Sequence, residues 1–383
     1  MKVLVLTGPC YPGCGNNANL ICKVAKKFSQ KNEVRLLSTA FGETNLPENV
    51  QGLPVSWVTD NSISLKDRAV AKIVDSNGYS DYVTAIRIAK TAEKLRRDFN
   101  FDVIVSTIEP FPCAYASVLI NGVKRILYIM DPPAPLADNK GTGFRLKHIK
   151  KILDSQDSII TTPFINQALK DSGYDIFEKV KETGFPMICE NTIENNDVFE
   201  MDRKKINLLF CGWLYSDIRS PKYFLNIVSR LDERFCVYFM GKECDKLEER
   251  FNIKTKAKII TMDNQPYSVA LSAMNQADIL INIGNSIPVH MPSKTLEYIN
   301  TGKPFVNLYK FDNCPTLYYT KKYPLCLNIF EGNKNIDAAA DRFIDFCLNS
   351  INKQVDREYI QDNYKDCTPG YIAHLIEKEM EEN

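Results

Sequence analysis

The segment PSKTLEYINTGKP brings together residue types that suit a phosphorylated ligand. Pro292 and Ser293 indicate a helix start, because proline needs no N–H donor there and a serine hydroxyl can act as a cap. Free backbone N–H groups at Ser293 and Lys294 would attract an anion such as a phosphate. Glu297 lies one turn further on the same face and can accept both hydroxyls of a ribose. Each residue alone could be a cap or a solvated side chain, but together they predict a nucleotide site.

A strand is expected on either side of this helix. Residues 278–283 form a short apolar run typical of a buried parallel strand, which ends at Gly284 and Asn285, where the backbone can approach a ligand closely. The helix is expected to stop at Gly302, and residues 305–308 form the next strand. The loop and the helix start therefore face the carboxyl ends of the strands, where open parallel sheets bind ligands.

Residues 277–308 resemble the donor-nucleotide segment of GT-B glycosyltransferases, in particular the retaining, metal-independent enzymes that assemble bacterial surface polysaccharides. The resemblance rests on ADILINIG followed by PSKTLEYINTGKP. It implies that Pro292, Ser293 and Lys294 bind a diphosphate and that Glu297 binds a ribose, with no metal and no cofactor besides the nucleotide sugar. Many retaining members carry a second Glu eight positions earlier. Val289 stands at that place, which leaves the donor sugar and the stereochemical course open.

A second candidate phosphate site follows the predicted strand at residues 206–211. The strand ends at Gly212, and Arg219 and Lys222 flank the expected start of the next helix. A fixed guanidinium beside free N–H groups suits a diphosphate. The resemblance implies that Arg219, and more weakly Lys222, neutralises the leaving diphosphate, although the commoner form places Arg directly after the Gly, where this chain has Trp213. Arg219 could instead be a solvated arginine at a helix end.

Further donor contacts are expected at the ends of the neighbouring strands. The strand at 235–240 ends at Gly241, and the strand at 257–262 is followed by Asn264 and Gln265. The resemblance implies that the loop containing Asn264 and Gln265 flanks the nucleobase through backbone groups. His290 lies in the donor loop and could touch the sugar or a phosphate, although a lone histidine is more often structural.

A glycine-rich loop follows the first predicted strand, at residues 8–17. The resemblance matches Gly13 and Gly15 to the N-terminal glycine loop that lies over the donor phosphates and the acceptor, with Asn16 at the helix start. A plain strand-to-helix turn is equally compatible with this loop.

Two acidic residues follow successive strands in the first half of the chain. Glu109 comes after the strand at 101–106, and Asp131 comes after the strand at 125–130. The resemblance places both on the acceptor side, where Asp131 or Glu109 could bind an acceptor hydroxyl or act as a general base. Asp131 also precedes two prolines, so it could simply begin a turn.

The order of predicted elements indicates an α/β fold. Residues 2–6, 18–29 and 33–38 form a strand, a helix and a strand around the glycine-rich loop, and the chain opens in the same way again at residue 206. We predict two doubly wound, Rossmann-like parallel-sheet domains facing across a cleft, as in GT-B enzymes, with C-terminal helices crossing back to the first domain. The predicted ranges are 1–185 for the acceptor-side domain, 186–205 for a linker, 206–355 for the nucleotide-sugar domain and 356–383 for the crossover helices.

Composition supports this class and excludes others. The chain has 383 residues, more than one ordinary core, with 25% charged and 44% apolar residues and a net charge of +1, which gives no general attraction for nucleic acid. It starts directly with a predicted strand, and no apolar run is long enough to cross a membrane. The 12 cysteines are scattered without a CxxC pair, so we expect small buried residues in a reducing cytoplasm and no structural zinc.

A basic amphipathic segment, FRLKHIKKIL at residues 144–153, could lie on the anionic inner surface of a membrane, as would suit a lipid-linked acceptor. A helix packed on the core with a solvated basic face is the favoured alternative. The polar stretch at 60–81 is expected to be a mobile excursion.

These features predict a glycosyltransferase that moves a sugar from a nucleoside diphosphate sugar to a glycan or lipid-linked saccharide. Two alternatives stay open. One is a non-hydrolysing nucleotide-sugar 2-epimerase on the same fold, which would need several acids and a histidine clustered in the cleft, whereas His148, His290 and His374 do not follow first-domain strands. The other is a nucleotide-sugar-binding protein without catalytic activity.

Overall fold

The computed structural model describes residues 1–10, 16–41, 43, 45–59, 64–74, 79–133, 143–188, 198–214 and 218–382. These residues form two compact units. Unit 1 comprises Met1–Pro186 and Asp366–Asn383, and unit 2 comprises Met187–Lys365. The end of the chain therefore belongs to the same unit as its beginning.

Each unit is built on one sheet. The strands of unit 1 are Lys2–Thr7 (β1), Glu33–Thr39 (β2), Asn49–Val50 (β3), Leu53–Val58 (β4), Val103–Thr107 (β5), Lys124–Ile129 (β6), Ser158–Thr161 (β7) and Val180–Glu182 (β8). The strands of unit 2 are Ile206–Cys211 (β9), Phe235–Met240 (β10), Lys258–Met262 (β11), Ile279–Ile283 (β12), Phe305–Tyr309 (β13) and Cys326–Phe330 (β14).

Helices connect these strands, which is the connection that parallel pairing requires. In chain order they are Asn16–Phe28 (α1), Leu65–Val74 (α2), Tyr79–Leu95 (α3), Phe111–Leu119 (α4), Gly143–Asp154 (α5), Pro163–Asp171 (α6), Lys222–Val228 (α7), Leu247–Arg250 (α8), Tyr267–Gln276 (α9), Lys294–Thr301 (α10), Pro315–Thr320 (α11), Ile336–Ser350 (α12), Arg357–Asn363 (α13) and Pro369–Glu381 (α14). Helix α14 packs against α1 within unit 1, and Lys31 and Glu377 form an ion pair there at 3.5 Å.

The strand orders identify where a ligand would bind. The sheet of unit 2 has the order β11-β10-β9-β12-β13-β14, and each pair of neighbouring strands is parallel. The sheet of unit 1 has the order β3-β4-β2-β1-β5-β6-β7-β8. Its neighbouring strands are parallel, except that the edge strand β3 is antiparallel to β4. In both sheets the chain reverses its direction of winding next to the first strand. The crevices outside the carboxyl ends of β1 and β5, and of β9 and β12, are the switch points where doubly wound sheets bind ligands.

The central strands are buried on both faces. Every residue of β5 and β12 is buried, so helices cover both sides of these strands, as the apolar runs from which they were predicted require. Two core clusters follow, one in each unit, with Phe99, Ile104 and Leu127 in the first and Phe210, Phe239 and Ile281 in the second. The predicted α/β class with two doubly wound sheets is confirmed.

Some local elements were not predicted. Residues 65–74, inside the stretch expected to be a mobile excursion, form α2, in which Asp67 accepts a hydrogen bond from the Ser64 hydroxyl at 2.7 Å and pairs with Lys90 of α3. Residues 60–63 and 75–78 of that stretch lie outside the described residues. The short helices α8 and α11 were not predicted, since four and six residues carry too little periodicity. Residues 198–205, which the sequence assigned to a linker, belong to unit 2, where the Phe199 N–H donates to the Ser272 hydroxyl.

The basic segment at residues 144–153 forms most of α5, and its apolar side is part of the core. Ile149, Ile152 and Leu153 are buried, as the favoured alternative requires, so they are not available to enter a lipid surface. Arg145 does not lie on a free basic face, because it pairs with two carboxylates of unit 1. Membrane contact through the remaining lysines stays a prediction. Among the described residues, no helix combines the length and apolar character needed to span a bilayer.

Candidate active site

Helix α10 begins where the sequence predicted, directly after β12. Ser293 holds the N-cap position in a helical conformation, and its side chain makes no capping hydrogen bond. Within the described part of the chain, the backbone N–H groups of Ser293 and Lys294 make no hydrogen bond, whereas the N–H of Thr295 donates to the Pro292 carbonyl. The first turn of α10 therefore has donors available for an anion. The helix ends at Gly302, whose left-handed backbone (φ 76°) makes the predicted glycine C-cap.

An ion pair crosses the first turn of α10. The Lys294 ammonium lies 2.5 Å from a carboxylate oxygen of Glu297, and both side chains are partly exposed. Burial lowers the pKa of Lys294, but Glu297, Cys211 and Tyr267 together raise it by more, so the net pKa lies above the usual lysine value. The lysine therefore keeps its charge at physiological pH, and it holds the Glu297 carboxylate, whose side chain is 14% exposed, at the first turn of α10.

A buried arginine connects the loops that follow β9 and β12. Nε and Nη2 of Arg219 both donate to Oδ1 of Asn285, at 3.0 and 2.9 Å, and Arg219 is only 9% exposed. The Asn285 amide nitrogen in turn donates to the His290 carbonyl at 3.0 Å and lies 2.7 Å from His290 Nδ1. Because that amide nitrogen is a donor, Nδ1 accepts, and the ring proton belongs on Nε2. Three residues predicted separately thus form one network.

The backbone strengthens this connection. The N–H of Ser286 donates to the Ile218 carbonyl at 2.7 Å, so the two loops are joined directly. At the end of β9, the Tyr298 hydroxyl accepts from the Cys211 N–H at 3.0 Å and lies 3.3 Å from the Cys211 carbonyl. Helix α10 is therefore anchored to the end of β9, which positions Lys294 and Glu297 relative to the Arg219 network.

Three predicted glycines have structural reasons. A Cβ at Gly284 would lie 2.7 Å from the Leu308 carbonyl oxygen, to which the Gly284 N–H donates at 2.8 Å. A Cβ at Gly241 would lie 2.2 Å from the Gly212 carbonyl oxygen, and a Cβ at Gly212 would lie 3.3 Å from Arg219 Nη1. Close packing at the strand ends therefore accounts for these glycines without invoking a ligand.

The other predicted donor residues lie around this network without joining it. Asn264 and Gln265 follow β11, and the Gln265 amide nitrogen donates to the Asp263 carbonyl at 3.1 Å. Lys222 is exposed at the first position of α7 and has no contact with Arg219 or Asn285 among the described residues. Gly13, Gly15 and the side chain of Asn16 lie outside the described residues.

In unit 1 the two predicted acids line one cavity at the switch point. The cavity has a volume of about 370 Å³ and is lined by Gly8, Pro9, Asn17, Ala18, Glu109, Pro110 and Asp131. The Asn17 amide nitrogen donates to Asp131 at 2.6 Å, which fixes this carboxylate. The volume is within the range of sites for small organic ligands.

Glu109 has an unusual protonation equilibrium. Burial raises its pKa to about 7, the Arg145 guanidinium opposes this increase, and the carboxylates of Asp131 and Asp81 add to it. Arg145 donates from Nε to Asp81 at 2.7 Å and from Nη1 to Glu109 at 3.4 Å. A carboxyl group with a pKa near neutrality can take up or release a proton at physiological pH.

No protein-family model matches this sequence. No curated protein has a significant match to it either. Solved structures do match over almost the whole chain. Sucrose-phosphate synthase from Thermosynechococcus elongatus is 9% identical, with a TM-score of 0.70, and the match covers 98% of this chain and 97% of that chain. Anabaena HepE, solved with UDP, is 13% identical, with a TM-score of 0.63 over 99% of this chain and 100% of that chain. A glycosyltransferase from Rickettsia africae is 13% identical, with a TM-score of 0.63 over 100% and 99%.

The chain has the GT-B fold. The resemblance seen in the sequence is therefore confirmed at the level of the fold. At these identities the GT-B likeness carries no residue roles, so the assignments of Arg219, Glu297 and the other site residues stay predictions.

Sequence reasoning missed one cation of this GT-B chain. Lys310 follows β13, and its ammonium lies 3.5 Å from the Ile218 carbonyl and 4.0 Å from Glu331. Burial lowers the pKa of Lys310, Glu331 raises it, and Arg219 lowers it again, so this lysine lies in the electrostatic field of the network. Its position directly after a predicted parallel strand was the available signal.

Proposed function

We propose that this protein is a glycosyltransferase that moves a sugar from a nucleoside diphosphate sugar to an acceptor hydroxyl. The observation that carries the proposal is the network of Arg219, Asn285 and His290, which joins the two loops at the switch point of unit 2. A buried guanidinium fixed by hydrogen bonds at the carboxyl edge of the sheet is suited to bind a diphosphate.

Unit 2 would hold the donor. The N–H groups of Ser293 and Lys294 bind the diphosphate, and Glu297 accepts the ribose hydroxyls, releasing part of its contact with Lys294. Cleavage of the glycosidic bond places negative charge on the leaving diphosphate. Arg219 stabilises that charge, and the Lys294 ammonium adds to the effect, so the protein itself supplies the positive charge at the leaving group.

Unit 1 would hold the acceptor in the cavity that contains Glu109 and Asp131. An acceptor hydroxyl can donate to Asp131, whose orientation Asn17 fixes. Glu109, with a pKa near 7, is suited to take the hydroxyl proton if the reaction inverts configuration. A retaining course needs no strong base, and the presence of Val289 leaves both courses open.

The solved neighbours support this class. HepE was solved with UDP and glucose, WaaB is a lipopolysaccharide outer core galactosyltransferase, and WaaG is a glycosyltransferase involved in lipopolysaccharide biosynthesis. We therefore propose a saccharide or lipid-linked saccharide acceptor in surface polysaccharide synthesis, with metal-independent transfer. The ten cysteines described as free are compatible with a reducing cytoplasm.

The test is a thermal-shift screen of the full chain against UDP, GDP, ADP, CMP and dTDP and their sugar conjugates, with a chelator present. A ligand that binds only the folded state raises the melting temperature, so we expect one nucleoside diphosphate to stand out. No shift with any compound would contradict the proposal.

Turnover separates the remaining alternatives. A glycosyltransferase consumes the stabilising nucleotide sugar and releases nucleoside diphosphate when a saccharide acceptor is added. If NMR instead shows that the nucleotide sugar is converted into a second nucleotide sugar without any acceptor, the protein is an epimerase. Binding without either reaction would leave the non-catalytic alternative.

A further inference from the structure

Helix α2 exposes an apolar stripe to solvent. Of the large apolar side chains that the structure describes, Leu65 and Ile73 are the most exposed, at 84% each. They lie two helical turns apart with Ala69, which is also exposed, between them, so all three residues lie on one side of the helix. Ala71 is buried on the opposite side, where α2 packs against α3. Helix α2 therefore has two apolar sides, and α3 covers one of them.

Basic side chains flank the exposed stripe. Lys66, Arg68 and Lys72 of α2 are exposed, and none of them forms an ion pair with another described residue. On the neighbouring helix, Lys94 is exposed near the end of α3, and Arg97 is exposed just beyond it. Because the net charge of the whole chain is only +1, positive charge is concentrated on this side of unit 1.

The acidic residues of the same side are already paired. Asp67 lies 2.5 Å from the Lys90 ammonium, and Glu93 lies 3.7 Å from the Arg96 guanidinium. A groove of about 830 Å³ runs along α3, and Arg87 is among the cations that line it. The unpaired charge of this side is therefore positive, and it is available to an anionic partner.

We propose that α2 and the basic side of α3 form a docking surface for the anionic face of a phospholipid bilayer. Leu65 and Ile73 enter the boundary between headgroups and acyl chains, and Lys66, Arg68 and Lys72 contact lipid phosphates. Long basic side chains can hold their charges at the level of the phosphates while the apolar stripe is buried. The apolar side of α5, to which the sequence assigned this role, is part of the core instead.

The charges of α2 favour a bilayer over a second copy of the chain. In a symmetric dimer the same surface meets itself, so the three cations of α2 would face three identical cations, which opposes association. Leu65 and Ile73, about 12 Å apart along the helix, also supply too little apolar area for the core of a stable protein interface. An anionic bilayer attracts each basic residue separately and needs no such core.

Helix α3 connects this surface with the proposed acceptor cavity. Asp81, in the first turn of α3, accepts a hydrogen bond from Arg145 at 2.7 Å, and Arg145 also pairs with Glu109, which lines the cavity. A lipid-linked acceptor of the class proposed above would belong to the bilayer that α2 contacts. The docking surface itself goes beyond the proposed function and does not depend on it.

The test is flotation of the full chain with vesicles of phosphatidylcholine alone and with vesicles that also contain about 30% phosphatidylglycerol. We expect the wild type to bind only the anionic vesicles and to be released at about 0.5 M salt, which screens charges at the bilayer surface. Leu65→Ser/Ile73→Ser and Lys66→Gln/Arg68→Gln/Lys72→Gln should each weaken binding to the anionic vesicles at least about tenfold. Both variants change exposed side chains, so their melting temperatures should match that of the wild type.

Lys254→Gln/Lys256→Gln/Lys258→Gln is the matched control. These three lysines are exposed in unit 2, at and before the start of β11, and their substitution removes the same total charge. This variant should bind the anionic vesicles as the wild type does. Equal losses in this variant and in Lys66→Gln/Arg68→Gln/Lys72→Gln would show an effect of net charge alone and would overturn the inference.

Two further results would also overturn it. One is a wild type that does not bind the anionic vesicles, or α2 variants that bind them unchanged. The other is self-association of the wild type without vesicles, measured by sedimentation and abolished in Leu65→Ser/Ile73→Ser, which would assign the surface to a second copy. Since flotation needs no nucleotide, a protein that binds vesicles through α2 but binds no nucleoside diphosphate would refute only the proposed function.

Discussion

The carboxyl edges of the two sheets have the same topology and opposite chemistry. In unit 1 the switch point presents two carboxylates, Glu109 and Asp131, in one cavity. In unit 2 it presents Arg219 and, close by, two lysines that each pair with a carboxylate, Lys294 with Glu297 and Lys310 with Glu331. Both edges arise from the same rule, that residues after neighbouring parallel strands meet, so the fold supplies the place and the residue types supply the chemistry.

The difference also shows in how each edge holds its charges. Nε and Nη2 of Arg219 both donate to the amide oxygen of Asn285, which fixes the orientation of the guanidinium. Glu109 is buried near two further carboxylates, and its pKa rises to about 7. Under the proposed function, the guanidinium at one edge binds the diphosphate and the carboxyl group at the other exchanges a proton, as transfer from a diphosphate to a hydroxyl requires.

The largest effect is expected at the anion-binding edge. Arg219→Ala should weaken binding of the nucleoside diphosphate at least about 30-fold, because a buried charge contact is worth about 2 kcal/mol or more. Arg219→Lys keeps the charge and loses the two-donor geometry, so its affinity for the nucleoside diphosphate should lie between those of the wild type and Arg219→Ala. Calorimetric titration measures both.

Arg230→Ala is the control for Arg219, since Arg230 forms an exposed pair with Asp337 on the same unit. It should not change the affinity. If Arg219→Ala, shown to be folded by circular dichroism, binds nucleotide as tightly as wild type does, the contrast between the two edges has no functional meaning.

The next effect concerns the carboxylate edge and is visible in stability. The folded-state pKa of Glu109, about 7, lies above its ordinary value of 4.5, so the folded state holds a proton that the unfolded state releases. Stability is therefore lost as pH rises through this interval. Glu109→Gln cannot ionise and does not share this loss. The free energy of unfolding of the wild type should therefore fall by about 2 kcal/mol relative to that of Glu109→Gln between pH 5 and pH 8.5. Urea unfolding of both proteins at the two pH values measures this fall.

Asp67→Asn is the comparison, because the pKa of Asp67 is shifted in the opposite direction to that of Glu109. Hydrogen bonds from Lys90 and Ser64 lower the pKa of Asp67, so this carboxylate is ionised in both states across the same interval. Its substitution should change stability by the same amount at pH 5 and pH 8.5. A Glu109→Gln difference that is likewise independent of pH would remove the proton-exchange role from unit 1.

The smallest effect is expected at Glu297. Glu297→Gln should weaken nucleoside diphosphate binding about tenfold, which corresponds to about 1.4 kcal/mol, because one charge-assisted hydrogen-bond acceptor for the ribose is lost. With a 2′,3′-dideoxynucleoside diphosphate the variant and the wild type should bind alike. Glu243→Gln is a suitable control, since Glu243 pairs with Lys246 at the same three-residue spacing on an exposed surface. An equal loss with the dideoxy compound would assign Glu297 to the phosphates through Lys294.

The local architecture was predictable because its signals are local. The apolar run of β12 and the glycine C-cap at Gly302 follow from periodicity and from backbone conformations that only a few residues adopt. Helix α11, with six residues, was missed because a single turn or two shows no period. Gly284 was expected to make room for a ligand, whereas the structure places the Leu308 carbonyl against it.

For the site, the sequence by itself determined which residues follow the strands: Arg219, Asn285, Lys294 and Glu297 were all named from their spacing after apolar runs. Only the tertiary structure decided their partners. The hydrogen bonds from Arg219 to Asn285 join residues 66 positions apart, and the pairing of Arg145 with Asp81 and Glu109 removes this arginine from the basic face of α5. Spacing along the chain specifies which edge of a sheet a side chain reaches, but the order of the strands specifies which other side chain it meets there.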